Sequence, residues 1–166
     1  MSKIAGIYWD DTAAAPGISL SVYFSGCHFH CPGCHNPETW NFDYGEPYTE
    51  KLVDKIIKKL QKNGVKRKLS ILGGEPLTPE NRKAVANLIS HVHIAYPDTI
   101  IYIWTGYTYE ELQNSNDDYI IYILNHINVL IDGRYEQNKR DTTLPLRGST
   151  NQRIIYLKEG QPYETK

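Results

Sequence analysis

Residues 18–36 read Ile-Ser-Leu-Ser-Val-Tyr-Phe-Ser-Gly-Cys-His-Phe-His-Cys-Pro-Gly-Cys-His-Asn. Ile18–Phe24 alternates as a strand does and stops at Ser25-Gly26. Cys27, Cys31 and Cys34 follow at once, spaced C-x3-C-x2-C, and the chain has no other Cys. An odd count packed this tightly is a poor disulfide framework. Closely spaced thiolates suit iron–sulfur clusters and zinc. Four-iron clusters usually take four Cys. With three, one iron would lack a protein thiolate and keep a coordination position open to a substrate. Zinc also accepts a Cys3His set, and His28, His30 and His35 are close by, so a zinc-binding interaction module stays open. The usual zinc pattern of two C-x2-C knuckles is absent.

Outward from this loop, strand-like and helical patterns alternate. Lys3–Tyr8 reads as a short strand and Asp10–Gly17 as a loop. Thr49 is placed to cap a helix with a Leu52, Val53, Ile56, Ile57 and Leu60 stripe, stopped by Gly64. Lys68–Leu72 is a strand ending at Gly73-Gly74. Thr78 and Pro79 start a helix that should end before Pro97. Thr99–Trp104 is a strand, and Thr108 with Glu111 makes a capping box. Asp118–His126 is read as helix, Asn128–Ile131 as strand, Arg134–Ser149 as loop and Arg153–Leu157 as a last strand. About four strand–helix repeats predict an α/β fold with a parallel sheet. The 166 residues suit one domain, too short for a closed eight-fold barrel of roughly 250 residues. An open, partial barrel or a doubly wound sheet remains. Cys27–Asn36, Gly73–Pro76, Thr105–Tyr107 and Asp132–Arg134 all follow strands, so a parallel sheet brings them to one edge.

The formal net charge of -1 gives no overall basic field, so no nucleic-acid partner is expected. No apolar run approaches the roughly 20 residues that span a bilayer, and no secretory leader is evident. A cytoplasmic location follows as the expectation. His91, His93 and His126 fall on or near helical patterns and read as structural or surface residues. The Lys-rich helix 51–62 reads as a solvated face. The 13 Tyr exceed expectation, and exposed ones would suit a protein interface.

The cysteine loop resembles that of radical S-adenosylmethionine enzymes. Further segments resemble one branch, the activating proteins of anaerobic ribonucleoside-triphosphate reductases. They are Ser25-Gly26-Cys27, Cys31–Cys34, Asn36–Trp40, Gly73–Leu77, Trp104–Tyr107, Asp132–Tyr135 and Arg147–Ser149 with Asn151–Arg153. The resemblance implies a partial (open) parallel β/α barrel of the radical SAM type. It implies an oxidoreductase in which Cys27, Cys31 and Cys34 ligate a 4Fe-4S cluster. S-adenosylmethionine would chelate the open iron and be cleaved to methionine and a 5′-deoxyadenosyl radical, which makes a glycyl radical on the partner reductase. A flavodoxin-type protein is the implied electron donor. Gly73, Gly74 and Glu75 match the strand end that holds the methionine amino group. Gly33, Cys34 and His35 would border the adenosyl part, with Thr105, Gly106 and Asp132 as candidates for the ribose or carboxylate. Many relatives carry an aromatic residue just before the third Cys, where this chain has Gly33. A radical enzyme acting on a small molecule, as in deazapurine biosynthesis, would share loop and fold but not the Asn36–Trp40 and Arg147–Arg153 segments.

Overall fold

The computed structural model describes residues 1–166. The elements are β1 (Lys3–Asp11), β2 (Ser19–Phe24), β3 (Glu46–Pro47), α1 (Glu50–Leu60), β4 (Lys68–Gly73), α2 (Pro79–Ala95), β5 (Ile101–Trp104), α3 (Tyr109–Gln113), α4 (Asp118–His126), β6 (Val129–Asp132), β7 (Arg153–Lys158) and β8 (Gln161–Thr165). They form a mixed α/β fold with one open sheet, ordered β3-β1-β2-β4-β5-β6-β7-β8.

The expected parallel sheet is confined to the centre. β2, β4, β5 and β6 are parallel neighbours, and each crossover carries helix. Both flanks are antiparallel. The reason is connection length and content. Residues 12–18 are too few for a crossover, so β1 folds back on β2. No α-helix separates β6 from β7, and β7 turns into β8 through Glu159-Gly160, both at positive φ as a tight hairpin requires.

Helix ends largely follow their local chemistry. Thr49 accepts a bond from the Leu52 N–H, and both bonds of the Thr108–Glu111 box form. The Asp117 side chain caps α4 through the Ile120 N–H. Thr78 departs from expectation: its hydroxyl donates to Glu80 at 2.6 Å and accepts nothing from the helix.

Period two along the strands sorts side chains to two faces. Leu20, Val22, Phe24, Leu69, Ile71, Ile101, Ile103 and Leu130 join one buried cluster with residues of all four helices. Helices therefore cover one face, which removes the doubly wound alternative. The other face carries Tyr102, Val129, Ile131 and Ile154, covered by loop residues such as Ala15 and Leu146. No helix is long and apolar enough to cross a membrane.

Candidate metal-cluster site

The four parallel strands end at Phe24, Gly73, Trp104 and Asp132 on one edge of the sheet. Main-chain bonds stitch the loops that follow. The Gly74 N–H donates to the Phe24 carbonyl and the Glu75 N–H to that of Gly26, both at 2.8 Å. The Gly26 and Cys27 N–H groups reach the carbonyls of Thr39 and Trp40 at 2.7 and 3.1 Å. Buried Asn81, at the start of α2, donates to the carbonyls of both Ser25 and Glu75. This backbone leaves no room for side chains. A Cβ on Gly73 would lie 2.3 Å from the Phe24 carbonyl oxygen, and one on Gly74 2.6 Å from that of Thr39.

The loops enclose a cleft of ≈ 290 Å³. Cys27, Cys31 and Cys34 line it, with His35, Gly73, Gly74, Glu75 and Thr105. Burial pushes the Cys27 thiol up, while the N–H groups of Phe29 and His30 favour its thiolate. Burial and the neighbouring Cys34 push Cys31 up against the Tyr135 N–H and the Arg134 charge. Main-chain donors from two separate loops thus face these sulfurs, as thiolate ligands require. No three His, Cys, Asp or Glu side chains gather closely enough to hold a single ion. A cubane distributes its thiolates over separate irons, so three thiols spread along one cleft suit it better. The donor set fits a cluster.

Glu75 is buried, and its carboxylate faces inward. Oε1 accepts from the Leu77 N–H at 2.9 Å and the Thr105 hydroxyl at 2.7 Å, and Oε2 accepts from the Gly106 N–H at 2.7 Å. Burial pushes it up to about 7 against those three donors. The Glu75 side chain is therefore a strut between two strand ends. Two further expected site residues sit apart from the cleft lining. Asp132 lies outside the cleft: it is buried, it accepts from both Nε and Nη2 of Arg153, and it caps α3 through the Tyr109 N–H. Its neighbours Gly133, Arg134 and Tyr135 line the cleft instead. Gly33 is exposed and turns at φ +76 beneath Gln137, leaving His35 as the cleft-facing neighbour of Cys34.

Phe29 was not anticipated. Its ring lies beneath Gly106, meets Tyr107 edge-on at 4.8 Å and carries the Arg134 guanidinium 4.3 Å away. One aromatic residue thus pins the cysteine loop to two strand-end loops. The segment 134–152, of undefined role in the sequence, forms a wall of the cleft through Arg134, Tyr135, Leu146, Gly148 and Gln152. The Trp104 indole N–H donates to the Leu146 carbonyl at 2.8 Å and anchors that wall. The rings of His91, His93 and His126 bond main-chain carbonyls on the helices, outside the cleft. Exposed Tyr8, Tyr44, Tyr119 and Tyr163 sit on different segments.

A three-thiol cleft at the carboxyl edge of an α/β sheet defines the class, an iron–sulfur cluster domain. A family model described as a 4Fe-4S single cluster domain matches residues 13–155. The chain is 37% identical over 149 residues to the anaerobic ribonucleoside-triphosphate reductase-activating protein of Salmonella typhi, covering 89% of this chain and 94% of that one. The protein of that name from Vibrio cholerae is 41% identical over 145 residues, covering 87% and 91%. That of Enterobacteria phage T4 is 36% identical over 148 residues, covering 89% and 90%. The chain belongs to the family of anaerobic ribonucleoside-triphosphate reductase-activating proteins.

Proposed function

We propose that this protein is a radical S-adenosylmethionine activase that generates a glycyl radical on an anaerobic ribonucleoside-triphosphate reductase. The observation that carries this reading is the set of three thiols, with no fourth Cys in the chain, in one cleft beside the tight Gly73-Gly74 turn. When bound, the cluster supplies the electron that cleaves S-adenosylmethionine to methionine and a 5′-deoxyadenosyl radical, which takes a hydrogen atom from a glycine of the reductase.

The chain's own residues hold and orient. Cys27, Cys31 and Cys34 ligate three irons. The Gly73-Gly74 backbone, free of side chains, seats the amino group of the methionine moiety. His35 and Thr105 border the nucleoside. Leu146 and Trp104, which line the same cleft, limit water there. The one-sided helix layer supports a partial barrel within a single domain, with an uncovered edge that admits a loop of a large partner. A cytoplasmic protein with a flavodoxin-type electron donor completes the reading.

Anaerobic reconstitution tests it. About four irons and four sulfides per chain are expected, lost in Cys31→Ala because a cubane on two protein thiolates is labile. With reductase, reductant and S-adenosylmethionine, electron paramagnetic resonance should show a glycyl radical forming as methionine appears. Cleavage without a protein radical would overturn the partner. One zinc and no iron would overturn the cluster.

A further inference from the structure

Four buried side-chain polar atoms have no partner in the fold: Ser25 Oγ, Trp40 Nε1, Arg147 Nε and Asn151 Oδ1. Of these four residues, Trp40 alone lines the cleft that the three cysteines share. A buried N–H without an acceptor is rare, because it gives up its bond to water and gains nothing. The cleft's other tryptophan shows the ordinary case, since the Trp104 N–H donates to the Leu146 carbonyl.

Trp40 is held on both sides of the first loop segment. Its carbonyl accepts the Cys27 N–H at 3.1 Å. Its ring stacks on His30, which precedes Cys31, with centroids 4.6 Å apart and planes 23° apart. Pro37 starts the single 3-10 turn Pro37–Trp40 that delivers the indole there, and buried Thr39 locks the turn through the Asn36 carbonyl at 2.7 Å. The indole N–H is thus a donor on a fixed ring that borders the cleft, with no acceptor supplied by the chain.

We propose that Trp40 Nε1 donates a hydrogen bond to a sulfur of the cluster held by Cys27, Cys31 and Cys34, and so raises its reduction potential. This rests on the cluster reading above. Cluster sulfurs are acceptors that a buried indole otherwise lacks here. A donor to sulfur stabilises the more negative, reduced state, and such bonds are an established lever on cluster potentials. Trp40 is then a positioning and tuning residue.

The test uses the full chain, reconstituted anaerobically, in four forms: unsubstituted, Trp40→Phe, Trp104→Phe, and position 40 filled with 3-benzothienylalanine, whose ring keeps the indole shape and puts sulfur where the N–H was. Iron and sulfide content, the midpoint potential and exchangeable-deuteron couplings after transfer to heavy water are measured on each. The expected result is a full cluster in the benzothienyl form, a midpoint shifted to more negative potential, and one deuteron coupling lost. Trp40→Phe should show the same shift, whereas Trp104→Phe, whose N–H already has an acceptor, should keep the coupling. A benzothienyl form with a full cluster and unchanged midpoint and couplings overturns the proposal. Failure of the unsubstituted protein to bind iron would overturn the cluster reading itself, and with it the acceptor.

Discussion

Glu75 shows how one residue can line a site while its carboxylate bonds only to the protein. The carboxylate accepts three bonds that join the Gly73-Gly74 turn to Thr105-Gly106. Burial nonetheless raises it to about 7, above the ordinary 4.5. A carboxyl raised on folding takes up a proton between those two values. Its contribution is therefore most favourable below about pH 4.5 and is lost as pH rises through about 7, on the order of 2–3 kcal/mol for this group alone. Glu75→Gln removes the titration and sets an amide against one of the three donors. Denaturant unfolding of both proteins at pH 5 and pH 8 should show the unsubstituted protein losing that much relative to the variant. A pH-independent difference would refute the assignment. The carboxylate itself was legible in the sequence as a site residue, but its direction was not. The direction of Asp132 was hidden for the same reason. Its partner Arg153 is distant in sequence, and an acidic residue after a strand looks alike whether it faces ligand or cation.

At the scale of elements, the chain's local signals were readable and its pairings less so. Ends set by side-chain chemistry, such as the Thr108–Glu111 box and the stop before Pro97, appear where the sequence put them. So does α4, whose nearly continuous apolar run hid its period. The two-residue β3 and the exposed β8 carry too little alternation to register as strands. The glycines that follow strands are the strongest element-scale signal, because they mark where loops must touch. Gly74 has no positive φ, so its need for hydrogen is purely steric, with backbone oxygens of Thr39 and Gly26 2.6 and 2.7 Å from any Cβ. Gly74→Ala should part the cysteine loop from the Gly73-Gly74 turn. A loss of about 1–3 kcal/mol is expected from overpacking. Weaker S-adenosylmethionine binding by the reconstituted protein should accompany it, read by calorimetry. Gly6→Ala is the comparison, since nothing lies within 4 Å of its Cβ; it should change stability by less than about 0.5 kcal/mol. Equal effects at the two sites would remove the steric account.

Across the whole molecule, the parallel centre and the antiparallel end meet at one cation. Arg153 opens β7 directly opposite Asp132, the last residue of β6. Its guanidinium bonds both oxygens of that buried carboxylate and both oxygens of Glu110 on α3. The pairing holds together the two ends of residues 133–152, which wall the cleft. Arg153→Met would leave Asp132 charged, buried and without its cation. Asp132 is buried but Arg153 is partly exposed, so breaking the pair from one side costs about 1–3 kcal/mol, below the figure for a fully buried pair, whereas removing both charges costs far less. Unfolding of Arg153→Met at pH 7 should therefore show a loss in that range. Adding Asp132→Asn to the same chain should recover a substantial part of it, because the stranded charge is gone. A double-mutant cycle isolates the pair, and a coupling of more than about 1 kcal/mol is expected between residues that share bonds. If the two substitutions simply add, the pair does not fasten β7 to the parallel centre, and the β6–β7 ladder with the Trp104–Leu146, Asn151–Arg134 and Gln152–Gly133 bonds places the cleft wall.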